Sequence, residues 1–232
     1  MRLSIILFCL VFQSTILNAQ VVTKEKAMAS SIMDAMGGKE NYNQIRYLQW
    51  DFFDLRKITW DKQLSRVRID YLDGSLSIIT YLNNDKGVVY KEGQKLTDSD
   101  SIKYYLDRGK RIWMNDSYWL IMPFKLLDPG VRLNYIGKLT SINGLSCDVL
   151  ELTFGNVGAT PENKYHIYLD PTTNLVLQWD YFVKNWEEEP EIQCLWSDYK
   201  WYGKIRLASE RGSYGKLSNI TVAPSINAST FR

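Results

Sequence analysis

The chain has 232 residues, with 28 basic against 26 acidic side chains and a formal net charge of +2. So even a balance leaves no electrostatic footprint for nucleic acid or for an anionic membrane surface. Three cysteines and one histidine are too few for a disulfide framework or a clustered zinc site.

The first nineteen residues decide where the rest acts. Met1 and Arg2 make a positive start, Leu3 to Phe12 is apolar apart from Ser4, and a more polar stretch closes on Leu17-Asn18-Ala19. That is the layout of a secretory signal peptide, too short for a stable membrane anchor. Cleavage is expected after Ala19, which places the product in the periplasm or outside the cell. Cys9 leaves with the apolar run, so no lipidated cysteine opens the trimmed chain. Residues 20–232 are expected to form a single domain, long enough to bury a core. No later stretch has the roughly 18 uninterrupted apolar residues of a membrane helix. A monomer is expected.

Val21 to Met36 carries Ala27, Met28, Ile32, Ala35 and Met36 at helical spacing, closed by Gly37-Gly38. A short turn is expected over Tyr42 to Ile45. The period then changes to two. Tyr47 to Phe53 reads as a strand, and Val67, Ile69 and Tyr71 alternate with Arg66, Arg68 and Asp70. Asp73-Gly74 turns that strand into Leu76 to Leu82, and a further strand covers Gly87 to Lys91. Alternation stops between Asp98 and Leu127. Ile102, Tyr105, Leu106, Ile112 and Trp113 predict a helix near 99–112, and a second short helix over Asp116 to Met122 ends at Pro123. Asp116 or Asn115 would cap this second helix.

After the Asp128-Pro129-Gly130 turn the strands resume: Arg132 to Leu139, Ser146 to Phe154, Tyr165 to Leu169 and Leu175 to Val183. Alternation places Leu175, Leu177, Trp179, Tyr181 and Val183 together on one face. Strands near 191–202, 204–211 and 215–222 complete a meander, with a frayed tail from Ala223. The sum is a mostly β fold with helices: an antiparallel, strongly curved, open half-barrel of about 10–11 strands, covered by the helical insert and an N-terminal helix.

Several spaced motifs carry a resemblance. They are Trp113-Met114-Asn115-Asp116-Ser117-Tyr118-Trp119-Leu120-Ile121-Met122-Pro123-Phe124-Lys125-Leu126 with Asp128-Pro129-Gly130-Val131, then Asp148 to Phe154, Lys164 to Pro171 and Gln178 to Phe182. Over about 40–222 the chain resembles an uncharacterised family of exported Gram-negative proteins, a domain of unknown function whose layout is similar to the LolA/LolB lipoprotein-carrier fold. The resemblance implies an unclosed barrel with helices over its mouth and an apolar interior that can receive acyl chains. It implies no catalytic residue.

Aromatic side chains are the chemistry on offer. Trp50, Trp113, Tyr118, Trp119, Leu177, Trp179, Tyr181 and Trp196 are the candidate ligand-binding residues, flat apolar walls for a lipid or an acyl chain. The same rings would serve equally as ordinary core, as Tyr199 and Trp201 would. No cofactor, no metal and no nucleic-acid partner are expected. The leading reading is a non-enzymatic binder of a hydrophobic small molecule, lipid or lipoprotein acyl chain held between curved sheet and helical lid. A scaffold taking a protein segment in its groove stands beside it. So does a hydrolase using His166 with Asp148 or Asp180, although no GxSxG or similar motif supplies a nucleophile. Pairing of Cys147 with Cys194 is left open.

Overall fold

The computed structural model describes residues 22–155, 158 and 160–232, so the leader expected over 1–19 lies outside the described residues. Helix α1 (Lys24–Ala35) starts where Thr23 accepts a hydrogen bond from the Lys26 amide and buries Ala29, Ile32 and Met33. Gly37 and Gly38 both take positive φ, a conformation closed to most side chains. They let the chain reverse into the short helix α2 (Lys39–Gln44).

Six strands follow as a meander: β1 (Tyr47–Phe52), β2 (Arg56–Asp61), β3 (Arg66–Tyr71), β4 (Leu76–Tyr81), β5 (Gly87–Lys91) and β6 (Gln94–Lys95). Helix α3 (Ser99–Ile121) is capped by the Asp98 carboxylate, which accepts from the Ser101 amide at 2.8 Å. A 3-10 turn over Met122–Lys125 ends it at Pro123, as proline demands. The second strand group is β7 (Val131–Thr140), β8 (Ser146–Phe154), β9 (Lys164–Leu169), β10 (Val176–Phe182) and β11 (Ile192–Leu195). Then come β12 (Ser197–Tyr202), β13 (Ile205–Glu210) and β14 (Leu217–Ala223).

All pairings are antiparallel. One sheet runs β14-β1-β2-β3-β4-β5-β6, a second β11-β10-β9-β8-β7, and β12-β13 form a ribbon. Only Trp196 separates β11 from β12, and β13 lies against β14, so the ribbon joins the two sheets into one bent layer. That layer is curved and does not close into a barrel, and α3 lies over it. The half-barrel under a helix is therefore present. Its fourteen strands among the described residues exceed the expected ten or eleven.

The differences have identifiable causes. The strand β2 escaped the sequence reading because its hairpin turn carries no glycine: Phe53 and Asp54 themselves adopt φ of 47° and 53°. That pair of left-handed residues builds the tight turn normally written Asn-Gly. A single helix replaces the expected two over 99–122, because Asp116 does not cap a new start. Its carboxylate instead takes two hydrogen bonds from the Arg56 guanidinium, at 2.6 and 2.9 Å. The tail is docked rather than frayed. Phe231 lies under the Arg66 guanidinium at 4.1 Å, and Arg68 donates to the Thr230 carbonyl at 3.0 Å.

Period-2 burial faces Leu48, Trp50, Ile58, Val67, Ile69 and Ile78 of the first sheet inward. Leu150, Leu152, Ile167 and Trp179 do the same from the second sheet, and both sets belong to one core. Helix α3 approaches closely because Gly109 faces β4: a Cβ there would stand 2.8 Å from Ile78 Cγ2.

Candidate binding face

The C-terminal half of α3 meets both sheets through rings. Trp119 packs edge-on against Trp179 at 4.9 Å, and Tyr118 stacks over the same indole at 5.9 Å. Trp179 touches Trp196 at 5.4 Å and Tyr165 at 5.2 Å, and Tyr165 continues to Tyr181 at 5.2 Å. Trp119 also reaches the first sheet, meeting Phe52 at 6.4 Å and Phe53 of the following turn at 5.3 Å. Further along the helix, Trp113 pairs with Trp60 at 5.0 Å. Offset and edge-on ring pairs of this kind add about 0.5–1.5 kcal/mol each beyond their buried area.

Of the residues singled out from the sequence, Tyr118, Trp119, Trp179, Tyr181 and Trp196 form one connected layer. Trp113 joins a separate pair with Trp60. Trp50 is fully buried in the core of the first sheet. Leu177 is on the other side of its sheet, with Cys147, Val149 and Tyr168. A bulge between Val176 and Gln178 inserts one residue and shifts the alternation, so Leu177 leaves the face of Trp179. Tyr199 is inside, its hydroxyl donating to the Val176 carbonyl at 2.8 Å, whereas Trp201 is 60 % exposed.

Sequence reasoning missed Trp60, which sits on the overlooked β2, and it missed Arg211 altogether. Arg211 is fully buried and lies over the Trp196 ring at 3.8 Å. Its guanidinium donates to the Trp119 carbonyl through Nε at 3.1 Å and Nη2 at 2.5 Å, and to the Ala208 and Glu210 carbonyls at 3.2 and 2.7 Å. A cation on a last-turn carbonyl of α3 complements the negative end of the helix. Burial lowers its pKa to about 10, which leaves it charged at neutral pH. A single arginine after a strand carries no pattern that would have placed it inside.

Five indole N–H groups, those of Trp50, Trp60, Trp113, Trp179 and Trp196, are buried without a hydrogen-bond partner among the described residues. Trp179 has the Cys194 thiol beside it, a weak acceptor at best. An unsatisfied buried donor costs about 1–3 kcal/mol. The helix is pinned in its C-terminal half by the Arg56–Asp116 ion pair, in which Asp116 is wholly buried and Asn115 donates a further bond at 3.0 Å. Burial raises the Asp116 pKa against the pull of Arg56.

Two cavities stand out, and neither is beneath the aromatic layer. One, of about 270 Å³, lies between the start of α1 and the 126–133 turn; Leu126, Leu127, Pro129 and Val131 line it. The other, of about 170 Å³, opens between α3 and the first sheet. Side chains of α3 occupy the place where the sequence reading expected a hollow.

His166 lies on the outer face of the second sheet, 3.5 Å from Glu151 and against the Phe182 ring. Burial lowers its pKa. Asp180 is its cross-strand neighbour, yet its oxygens accept from Tyr168 at 2.8 Å and Gln178 at 2.6 Å. Asp148 accepts from Tyr135 at 2.6 Å. Neither carboxylate is hydrogen-bonded to the imidazole, so no relay to His166 is assembled. Cys147 and Cys194 are both buried free thiols, in separate clusters. Among the described residues no group of three His, Cys, Asp or Glu side chains converges as a metal site, and no helix is long and apolar enough to cross a membrane.

No family model matches the chain, and no curated protein does. Among solved structures it is similar to a DUF1329 family protein from Desulfovibrio piger, at 14 % identity and a TM-score of 0.47, over 90 % of this chain and 97 % of that one. It is also similar to MucB in complex with MucA(peri), at 11 % identity and a TM-score of 0.28, and to MucB alone, at 12 % and 0.31. In those two cases the match spans 90 % of this chain and only 59 % and 62 % of the other. Likeness of this degree carries no argument about what the chain binds.

Proposed function

We propose that the protein is an exported, non-enzymatic binding protein whose ligand is an acylated molecule, taken up between α3 and the aromatic face of the curved sheet. The observation that carries this reading is the set of buried indole donors without oxygen or nitrogen acceptors along α3, Trp179 and Trp196 in the ring layer and Trp60 and Trp113 in the pair beside it. A core selected only for packing would be filled by leucine and phenylalanine, which leave nothing unpaired. Indoles instead offer flat apolar walls together with N–H groups suited to the carbonyl oxygens of an ester or amide. With α3 seated, its own Trp113, Tyr118 and Trp119 occupy the ligand's place. Uptake therefore requires α3 to move, exchanging helix rings for acyl methylenes at about 0.8 kcal/mol per buried CH₂.

The test is purification from the compartment to which the natural leader directs the chain, followed by native mass spectrometry and by titration with a brominated fatty acid. Co-purified acyl species and quenching of tryptophan fluorescence are expected. Asp116→Asn, which weakens the hold on the helix, should speed the quenching severalfold. Protein that carries no lipid and whose fluorescence is indifferent to the brominated chain would overturn the reading.

A second reading has one observation in its favour. With the interior filled, a protein segment has no groove to enter, but β7 is paired on one side only and forms the end of its sheet. An extended segment could add there as a further strand. A scaffold of that kind would retain a peptide partner in detergent, where a carrier would release its cargo.

A further inference from the structure

The cavity between α3 and the first sheet differs from the aromatic face in its chemistry. Tyr71, Ser75, Leu76, Lys91, Tyr105 and Arg108 line it, so two basic residues and no acidic one border the space. Arg108 donates through Nη2 to the Tyr71 hydroxyl at 3.0 Å, and one of its five N–H groups is thereby used. Neither Arg108 nor Lys91 lies within ion-pair distance of a carboxylate among the described residues. Tyr71 accepts from Arg108 and keeps its own proton to give. Asp73 is turned to Ser75, accepting its amide at 2.9 Å and its hydroxyl at 2.6 Å. Arg56 is also close, 5.9 Å from the Tyr71 ring, but its charge is neutralised by Asp116.

We propose that this cavity binds a phosphate group. Arg108 offers a planar fork of N–H donors, Lys91 a second charge, and the Tyr71 and Tyr105 hydroxyls complete the shell. At about 170 Å³ the space is smaller than the roughly 300 Å³ at which pockets begin to hold whole organic ligands, so it fits a headgroup and no acyl chain. It opens at the side of α3, on the rim of the covered face. The phosphate is either free or the head of an amphiphile, and only the second source rests on the function proposed above.

Calorimetry with inorganic phosphate, with dodecyl phosphate below its micellar concentration and with dodecanol below its solubility limit separates the cases. Arg108→Gln should weaken phosphate binding at least about tenfold and Lys91→Gln severalfold. Lys110→Gln, on the same helix but paired with Asp85 at 2.7 Å, should leave it unchanged. Saturable binding of inorganic phosphate with this pattern identifies a free phosphate. Binding of dodecyl phosphate alone, lowered by R108Q to the level of dodecanol, identifies a lipid head. Absence of both, or equal binding by all variants, overturns the site. Phosphate binding with this pattern but no dodecanol uptake would remove the carrier reading and leave the site standing. Lys91 is exposed, so K91Q keeps the test decisive should R108Q fail to fold.

Discussion

Arg56→Met leaves the Asp116 carboxylate buried without its cation, and this single change probes how α3 is held. The side chain of Asp116 has no exposure and that of Arg56 has 15 %, with the two bonds at 2.6 and 2.9 Å. Removing one member of a buried pair typically costs about 3–5 kcal/mol. Water can reach the partly open Arg56 position, which puts the expected loss near the lower end, about 3 kcal/mol. In a chain of this length that corresponds to a Tm lower by about 6–12 °C. The double variant Arg56→Met with Asp116→Leu removes both charges and should recover to within about 1 kcal/mol of the parent, because an apolar pair replaces a buried ion pair at little cost. The sign with pH follows from burial, which raises the Asp116 pKa. In the single variant the carboxylate can take a proton, so its deficit should be largest at neutral pH and shrink as the pH falls. Urea unfolding at pH 7.5 and at pH 5 measures all of this. A single-variant loss below about 1 kcal/mol, or a double variant as unstable as the single, would refute the reasoning.

Other outcomes follow from the same geometry. Gly109→Ala gains about 1 kcal/mol of helix propensity but sets a methyl 2.8 Å from Ile78 Cγ2; overpacking costs about 1–3 kcal/mol, and thermal melts should show net destabilisation. His166 is depressed by burial, so the fold favours its neutral form and the stability it contributes is lost as the pH falls below about 6.5. An NMR titration of this lone imidazole should give a midpoint below that value, and His166→Gln should flatten the acid limb of a stability–pH curve. Lys62 is lowered to about 8, first by burial and then by Lys39 and Lys125. Its unfolded form holds the proton longer, so stability should rise between about pH 8 and pH 10 in the parent relative to Lys62→Met. Cys194, pushed up to about 12 by burial, and Cys147, also raised by burial, should resist iodoacetamide in the folded protein at pH 8 and react after unfolding, read by peptide mass spectrometry.

Local chemistry was readable where a segment spoke for itself. The alternation over 66–71, the Asp73-Gly74 turn and the strand over 146–154 stand where their patterns placed them. Where a residue's role was set by something distant, the pattern failed. Asn115-Asp116-Ser117 looks like a helix start until Arg56, sixty positions earlier, takes the carboxylate. Leu177 looks like a neighbour of Trp179 until one bulged residue turns it over.

Sequence alone determined that strands dominate, that a helical insert interrupts them, and that aromatic side chains supply the inner face, because periodicity and composition are local quantities. Tertiary structure alone decided that β14 pairs with β1, that Arg211 is buried against α3, and that the rings of α3 fill the space beneath it. Those outcomes depend on which surfaces meet, and contacts between residues far apart in the chain leave no trace in either segment read by itself.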